Sequence, residues 1–566
     1  MSLAKLIAVA RGSAPADLIL SNAKIINTFS GEIEKGNIAI YRDRIAGIGD
    51  YKNAKEIIDL KGKYVSPGLI NGHVHIESSM LHIARYAEAV VPRGVTGIVT
   101  DLHEIANVKG LAGIKYILSC AKSLPLNIYF MAPSCVPATH LETAGACLTS
   151  DDIRHVLSFD ETIGLGEMMN FQGVLFADGQ VLAKIDASQN KVIDGHAPGL
   201  GGKDLNAYIS SGITSDHEST KLTEAREKLR KGMYIMIREG SSEKNLEELL
   251  PLVTDKTYKR CLFVVDDRSC SDLLNDGDID AVVRKAIKLG LDPVRAIQLA
   301  TVNAAERFRI PAVGAITPGY IANIAVLSDL RQFKTEMVFH HGKMVARAGK
   351  PLFATSVRAN KQMTHTMKVK PFGIARLRIL ADTWHHTIIE IVPNQIITKG
   401  VNEKAKIVYG CVVADTKRDI LKLVVVERHK ATGNIGLGLV KGLGIKRGAL
   451  ASSIAHDSHN IIAVGTNDRD LYIAIKEVEA LGGGLIAAAD GKVLSALPLP
   501  IAGLLSDQPL DKVVKKLEEV EEAAANLGSK LAAPFATLSF LALPVIPELR
   551  LTDKGLVDVL QFKILE

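Results

Sequence analysis

The sequence predicts a (β/α)8 TIM-like barrel inserted into a small β-sandwich domain and followed by a C-terminal α/β or α+β domain. Between residues 68 and 310, eight short apolar runs alternate with helix-like stretches. Eight β-then-α units in succession are typical of a closed parallel barrel. The segments that flank this region instead alternate apolar and polar residues with a period of two, which is typical of half-buried strands.

The flanking β segments are expected to form one small domain from two distant parts of the chain. The alternation is seen in ADLILSNAKIIN and GNIAIYRDRIAGIG near the N-terminus, and in GAITPGYIANIAVLSD and EMVFHHGKMV after the barrel region. We therefore predict a composite β domain from residues 1–67 and 311–365. The barrel, residues 68–310, is inserted between its two halves.

The eight apolar runs of the barrel region end in polar, chemically reactive residues. They read LINGHVHIE, GIVTDLHE, NIYFMAPS, IGLGEMMN, KVIDGHAPG, GITSDHES, MYIMIREGS and LFVVDDRS. Barrels of this kind carry their catalytic groups at the C-terminal ends of the strands, so we expect these polar residues to meet at one rim. Between the runs, LTEAREKLRKG and DAVVRKAIKLG have a helical pattern.

Residues 366–566 are expected to form a separate domain. LKLVVVERH, NIIAVGT, GGLIAAADG and KVLSALPLP are strand-like, and LDKVVKKLEEVEEAAANLG has the pattern of an amphipathic helix. The longest uncharged stretch lies between Lys530 and Glu548 and contains three prolines. It is short for a membrane span, and we expect a buried loop and strand there.

The composition excludes several classes of protein. Hydrophobic residues make up 47% and charged residues 23% of the 566 residues, which is typical of folded globular chains. The 68 basic and 62 acidic residues give a net charge of +6 without a long basic block, so we expect no nucleic-acid partner. We also expect no membrane partner. The six cysteines form no C-x-x-C pair, which favours reduced thiols in a cytoplasmic protein.

A metal centre is predicted from the polar strand ends. In the first run, His73 and His75 are two residues apart, so both imidazoles point to the same side of a strand. Such a pair alone is more often two polar residues lining a rim. Six imidazole and carboxylate groups at one rim, however, suit Zn, Mn and Fe(II) and suffice for two ions bridged by Glu167. The predicted ligands are His73, His75, Glu167, His196, His217 and Asp266.

Other polar residues at this rim are candidates to orient the ligands or to contact a substrate. For those of the first two runs, the alternatives are a salt-bridged rim and an additional ion. Arg238 and Glu239 suit substrate recognition or a structural ion pair equally well, and Arg268 is expected to bind Asp266 or Asp267. The candidates are Glu77, Asp101, His103, Glu104, Arg238, Glu239, Asp267 and Arg268.

A further polar group, His456, Asp457, His459 and Asn460, lies in the C-terminal domain. One interpretation is that it covers the barrel mouth of its own or a neighbouring subunit. The other is a turn rich in capping residues, and the sequence does not separate the two.

The motifs of this chain resemble those of bacterial adenine deaminases, a family within the amidohydrolase superfamily. The resemblance covers nearly the whole chain: it includes GLINGHVHIESSM, GLGEMMNF, DGHAPGLGG and SDHES in the barrel, and AHDSHNIIAVGTND and ALPVIPELRLTDKGLVDV near the C-terminus. Many members of the superfamily have a carboxylated lysine at the end of the fourth strand. Here that position is Glu167, so the bridging group would be an ordinary carboxylate.

The resemblance implies hydrolysis of adenine to hypoxanthine and ammonia by a metal-activated hydroxide, as a step of purine salvage. It implies two divalent ions, Mn or Fe first and Zn as a further possibility, held by the same six ligands. Asp266 would carry the proton, Glu167 would bridge the ions, and His217 would orient the nucleophile. The expected partners are a small-molecule purine base and further copies of the chain in a homodimer or larger homo-oligomer.

The chain also departs from the family pattern at four positions. Leu102 stands where proline is usual, Gln172 where proline is common, Val265 where threonine is frequent, and Asp278 where a histidine is usual. These departures motivate a first alternative to adenine deamination, namely a related hydrolase that acts on a different aminopurine or a cyclic amide. A second alternative is a barrel that has lost catalysis and serves as a binding module. Its expected mark is the loss of metal ligands, and none is lost here.

Overall fold

The computed structural model describes residues 2–357, 360–393 and 395–565. The two β segments that flank the barrel hydrogen-bond into one nine-stranded sheet. Strand Tyr64–Pro67, before the barrel, pairs antiparallel with Ile324–Asp329, after it, and so joins the two halves. The strands are Ala16–Ile26, Ile33–Tyr41, Arg44–Gly49, Ala54–Asp59, Tyr64–Pro67, Ile324–Asp329, Lys334–His340, Lys343–Arg347 and Lys350–Pro351.

The central region forms a parallel barrel of eight strands, numbered here β1 to β8. Strands β1 to β5 hydrogen-bond in sequence order, as do β6 to β8. The ring closes where Val74–His75, the continuation of β1, pairs in parallel with Asp266–Asp267, the continuation of β8. The strands are β1 Leu69–Asn71, β2 Val95–Thr100, β3 Asn127–Ala132, β4 Thr162–Met168, β5 Val192–Gly195, β6 Ser215–Asp216, β7 Tyr234–Arg238 and β8 Cys261–Val264.

Each barrel strand is followed by at least one helix that covers the outside of the barrel. The predicted helix after β8 spans Ile279–Lys288 and buries Ile279, Val282, Val283 and Ala286, the spacing of one helical face. The helices are Ile83–Val90, His103–Ala121, Ser150–Leu157, Phe171–Leu175, Gly179–Asp186, Gly202–Ser210, Leu222–Arg230, Leu246–Leu249, Cys270–Asn275, Ile279–Lys288, Pro293–Leu299 and Val302–Arg307, with Leu3–Ala10 before the barrel and Lys361–Thr364 after it.

The C-terminal domain is built on an eight-stranded sheet in which all but one neighbouring pair are antiparallel, so it is an α+β domain. Helix Asp468–Ala480 packs on the sheet through Leu471, Ile475 and Val478. In sheet order the strands are Thr398–Lys404, His385–Ile391, Ile435–Lys441, Ile420–Val426, Ile461–Gly465, Ala449–Ser452, Gly484–Ala489 and Lys492–Pro498. The domain also contains two three-stranded sheets. One comprises Ile379–Leu380, Lys406–Val408 and Cys411–Val413, and the other comprises Leu549–Thr552, Gly555–Asp558 and Lys563–Ile564.

The uncharged stretch after Lys530 contains a helix that the sequence interpretation missed. Helix Leu510–Asn526 was expected, but helix Pro534–Phe540 lies where a loop and strand were predicted, and the next strand begins only at Leu549. Pro534 occupies the first turn of the helix, where its missing N–H costs nothing. Within the described residues, we find no helix with both the length and the apolar character that crossing a bilayer requires.

Candidate metal centre

The six predicted ligands converge at the C-terminal end of the barrel. They come from five strands, and the folded chain brings them together although almost 200 residues separate the first from the last. The Nε2 atoms of His73 and His75 lie 3.1 Å apart, as their spacing on one strand predicts. Five of the six are buried, and His196 is partly buried.

The Glu167 carboxylate, at the end of β4, lies at the centre of the group. Its Oε1 is 3.2 Å from His75 Nε2 and 3.8 Å from His73 Nε2. Its Oε2 is 2.7 Å from His196 Nδ1 and 3.2 Å from His217 Nε2. One oxygen therefore faces each pair of imidazoles.

Asp266 lies opposite Glu167, just after β8. Its Oδ1 is 3.2 Å from His75 Nε2 and 3.7 Å from His73 Nε2, and its Oδ2 accepts a hydrogen bond from Arg238 at 2.7 Å. The residue has a left-handed backbone (φ +63°), a conformation that non-glycine residues adopt mainly where the surroundings enforce it. The carboxylate thus has one oxygen directed at the ligand group and one held by an arginine.

The residues fit divalent metal ions. The ligand atoms of His73, His217 and Asp266 lie within 4.8 Å of one another, as do those of Glu167, His196 and His217. Imidazole and carboxylate donors without a thiolate suit borderline and hard divalent cations. Burying an unpaired carboxylate costs free energy, and a positive charge beside Glu167 and Asp266 would offset that cost.

Electrostatics keeps both carboxylates ionised. Burial alone would raise the pKa of Glu167, but hydrogen bonds from His196, His217 and His75 hold it well below its usual value. For Asp266, burial is likewise outweighed by His75 and Arg238, and its pKa is lowered. Burial opposes the charging of His217, but Glu167 raises its pKa to about 10. Without metal, the group therefore retains protons that metal ions must displace.

A second layer of carboxylates faces the outer ring nitrogens of two predicted ligand histidines. Asp101 Oδ1 lies 3.5 Å from His75 Nδ1 and 3.0 Å from His103 Nδ1. Asp194 Oδ2 lies 3.7 Å from His73 Nδ1. Carboxylates at the second ring nitrogen of a ligand histidine fix its tautomer and its orientation. This geometry supports the orienting interpretation of Asp101.

The C-terminal domain covers the barrel mouth of its own chain. Glu104 Oε1 lies 2.9 Å from His456 Nδ1, Glu104 Oε2 contacts His459 Nε2, and the ring of His456 stacks on Phe540 at 4.7 Å. Asn460 Nδ2 donates to the carbonyl of Thr143, in a barrel loop, at 2.9 Å. These contacts support the interpretation that the polar group at residues 456–460 covers the barrel mouth, rather than the interpretation as a turn rich in capping residues.

Two of the weaker candidates do not contact the ligands. Arg268 was expected to bind Asp266 or Asp267, but its Nε donates to the carbonyl of Gly277 at 3.0 Å, because the loop after β8 presents that oxygen to the guanidinium. Glu239 accepts from the Leu246 amide at 3.1 Å and pairs with Lys285. Both side chains fasten loops behind the site.

The remaining candidates lie at the rim. Asp267 accepts a hydrogen bond from the Ser78 hydroxyl. Glu77 is buried, and its Oε1 accepts from the Ile105 amide at 3.3 Å. Burial and the neighbouring Glu104 carboxylate raise the pKa of Glu77 to about 7.

Sequence reasoning missed Glu218 and Asp194. Glu218 pairs with Arg238, and its Oε1 lies 3.6 Å from His217 Nε2. No periodicity indicates this contact, since Arg238 comes from a different strand. Asp194 had a signal: it precedes His196 by two residues, the spacing of side chains on one face of a strand.

Asp278, one of the four departures from the family pattern, is buried behind the first strand. Its carboxylate oxygens lie 3.1 Å from Asn71 Nδ2, and Oδ1 accepts from the Tyr86 hydroxyl at 3.2 Å. Asn71 Oδ1 in turn accepts from the Val265 amide at 3.2 Å. Asp278 therefore tethers β1 to the start of the β8 extension.

Two family patterns agree with this architecture. The amidohydrolase family pattern matches residues 64–345, and the adenine deaminase C-terminal domain pattern matches residues 395–563. A beta-aspartyl dipeptidase from Fervidobacterium islandicum is a structural neighbour with a TM-score of 0.48 and 16% identity, covering 60% of this chain and 99% of its own. The fold and the buried ligand set define the class of protein: a hydrolase of the amidohydrolase type with a divalent metal centre.

Full-length relatives narrow the class further. An adenine deaminase of Dehalococcoides mccartyi is 60% identical over 564 residues, covering 100% of this chain and 99% of the relative. Adenine deaminase 2 of Carboxydothermus hydrogenoformans is 49% identical and covers 99% and 98%, and an adenine deaminase of Methanothrix thermoacetophila is 47% identical and covers 99% of both chains. The chain belongs to the adenine deaminase family.

Proposed function

We propose that this protein hydrolyses adenine to hypoxanthine and ammonia in purine salvage, with two divalent ions held by His73, His75, Glu167, His196, His217 and Asp266. The observation that carries the proposal is the Glu167 carboxylate, which directs one oxygen to each pair of imidazoles. The identity to adenine deaminases over the full chain supports the substrate. The imidazole and carboxylate donors suit Mn, Fe and Zn, and the family resemblance favours Mn or Fe, with Zn as the further candidate.

The bound ions supply a nucleophile by lowering the pKa of water towards neutrality. The residues of the chain do the rest. Asp266 Oδ1 faces the ligand group and takes the proton of the attacking water, then delivers it to a purine ring nitrogen or to the departing amine. Arg238 holds the other oxygen of Asp266, so the acceptor stays oriented. His217 directs the nucleophile towards C6 of the purine.

Burial of the site supports this chemistry. The ligands and the Glu77, Asp101, His103 and Glu104 side chains are all shielded by the barrel rim and by the C-terminal domain. Water exclusion strengthens the electrostatic interactions on which the reaction depends. We further propose a cytoplasmic homo-oligomer: none of the six cysteines, all of which lie in the described part of the chain, forms a disulfide, and most enzymes of this kind are symmetric oligomers.

The test is ammonia release from adenine by metal-depleted protein, before and after addition of Mn(II) or Fe(II). We expect no release before addition, restored release after it, and hypoxanthine as the product. His196→Asn removes one ligand and should abolish the restoration. His385→Asn, at an exposed position of the C-terminal domain, is the matched control and should behave as the wild type.

A substrate panel separates the proposal from its alternative. The panel contains adenine, other aminopurines and cyclic amides, assayed with the same reconstituted protein. Release from a cyclic amide or another aminopurine, with none from adenine, would replace the proposed substrate while leaving the hydrolytic centre in place. A folded protein that takes up no metal would contradict the centre itself.

A further inference from the structure

A second group of metal-ligating side chains lies outside the six-ligand centre, where the C-terminal domain meets the barrel. Glu104 comes from the helix after β2, and His456 and His459 come from the loop between strands Ala449–Ser452 and Ile461–Gly465. Glu104 Oε1 is 2.9 Å from His456 Nδ1, and Glu104 Oε2 contacts His459 Nε2. The three ligand atoms lie within 4.8 Å of one another.

The group is shielded from solvent. The side chains of Glu104, His456 and His459 are 4%, 12% and 1% exposed. Two imidazoles and one carboxylate are a ligand set found in zinc enzymes, in which a water or another group completes the coordination. A surface ion pair would be exposed to solvent, whereas these three side chains are buried where the C-terminal domain contacts the barrel.

An independent observation beside Glu104 is a buried carboxyl oxygen of Glu77 for which the described part of the chain offers no hydrogen-bond donor. Glu77 is 4% exposed, and its Oε2 has no hydrogen-bond partner among the described residues. Its other oxygen accepts from the amide of Ile105, the residue next to Glu104, so the two carboxylates are neighbours. Ionisation of a buried carboxyl group whose oxygen has no donor is costly, and a cation beside it removes that cost.

We propose that Glu104, His456 and His459 bind a third divalent ion, for which zinc is preferred over manganese. The preference follows from the two imidazole ligands and from the greater affinity of nitrogen donors for zinc. His459 must bind through Nε2 and carry its proton on Nδ1. The Ala455 amide lies 3.4 Å from Nδ1, a long contact, so little is lost when that nitrogen is protonated.

The ion would fasten the C-terminal domain to the barrel rim. Glu104 Oε1 is also 3.4 Å from His103 Nε2, and His103 Nδ1 is 3.0 Å from Asp101, which faces ligand His75. The third site is therefore joined to the six-ligand centre by a continuous chain of side chains. The rival arrangement is a direct hydrogen-bonded contact between the domains that contains no ion.

The test counts metal ions in the full-length protein. Metal-depleted protein is dialysed to equilibrium against Zn²⁺, and bound metal is measured by inductively coupled plasma mass spectrometry. We expect three equivalents in the wild type and two in both Glu104→Gln and the double variant His456→Gln/His459→Gln. Glu104→Gln is nearly isosteric and keeps hydrogen-bonding capacity, so it removes the anionic ligand with little effect on packing. His385→Gln is the exposed control and should retain three.

The possible outcomes separate the two proposals. If the wild type, Glu104→Gln and His456→Gln/His459→Gln all bind the same number of zinc equivalents, whether two or three, the third site would be overturned. Dialysis against Mn²⁺ should leave the third site largely empty, and equal occupancy by Mn²⁺ and Zn²⁺ would overturn the stated preference. Retention of two equivalents in the variants also shows that they fold. Fewer than two equivalents in the wild type would instead contradict the six-ligand centre.

Discussion

At the residue scale, the site depends on a few close approaches. The H-x-H spacing predicted that His73 and His75 lie together, and the position of Glu167 at a strand end predicted its place at the rim. The contact between Glu218 and Arg238 was not predictable, because it joins two strands through side chains whose directions no local pattern determines. Local spacing predicts neighbours on one strand, whereas pairs between strands depend on the closed barrel.

The first prediction concerns Asp266→Asn. The amide cannot accept the proton that we assign to the carboxylate, but it retains the shape of the side chain. We expect turnover to fall by roughly 10²–10⁴-fold, with metal content mostly retained. Adenine turnover and bound metal should be measured on the same preparation, with Asp276→Asn as the exposed control. Near-normal turnover would remove the proton-carrying role.

The second prediction concerns Gly166, which precedes Glu167 on β4. A Cβ at this position would lie 2.8 Å from Asp101 Cβ and 3.2 Å from the carbonyl oxygen of Ala132, so Asp101 must move. Asp101 orients His75, and loss of such support typically weakens metal binding about 10–100-fold. Gly166→Ala should show this loss in a metal titration. Gly179→Ala, where no atom lies within 4 Å of the added Cβ, should not.

At the scale of elements, periodicity predicted the barrel strands and the long helices, but not helix Pro534–Phe540. That helix begins with a proline and is only seven residues long, so its sequence contains less than two turns of helical pattern. Its formation depends on tertiary packing, since Phe535 and Leu538 are buried in the core. Its last residue, Phe540, stacks on His456 and so links the helix to the rim.

The third prediction concerns the cap of helix Ile83–Val90. His82 Nδ1 accepts from the Ala84 amide, and burial, with a contribution from Arg85, lowers the pKa of His82 to about 4. An unfolded histidine titrates near 6.5, so between pH 6.5 and 4 the unfolded chain binds more protons. Stability should therefore fall as the pH drops through this range, by about 2 kcal/mol at pH 4.5.

His82→Asn tests this linkage. Asparagine is a good cap and does not titrate, so the variant should lose less stability than the wild type between pH 7 and pH 4.5. Urea denaturation at pH 7 and at pH 4.5 measures the loss of free energy of unfolding for each protein. Subtracting the loss of the variant from that of the wild type removes the contribution of the metal centre, which the two proteins share. The linkage is refuted if both proteins lose the same free energy.

At the scale of the whole molecule, the barrel contacts both other parts of the chain. The composite sheet joins the chain before the barrel to the chain after it, and the C-terminal domain contributes His456 and His459 to the rim. The predicted boundaries at residues 67, 310 and 365 stay predictions. The core and the site are continuous across the barrel and the C-terminal domain.

The fourth prediction concerns metal removal. An ion that binds the folded state but not the unfolded state stabilises it, by about 2.7 kcal/mol at a free concentration 100-fold above the Kd. Chelation should lower the Tm, and Mn(II) should restore it. The double variant His196→Asn/His217→Asn should show a smaller response to Mn(II) than the wild type. Equal responses would place the stabilising ion elsewhere.

The sequence by itself determined the barrel, the placement of the six predicted ligands at strand ends, and the family to which the chain belongs. These follow from local periodicity and from motifs that are continuous along the chain. The tertiary structure alone decided that Arg268 turns to a loop carbonyl, that Glu218 joins the ligand group, and that His456 and His459 reach Glu104. Such contacts join residues up to 355 positions apart, and their geometry depends on packing that no local pattern encodes.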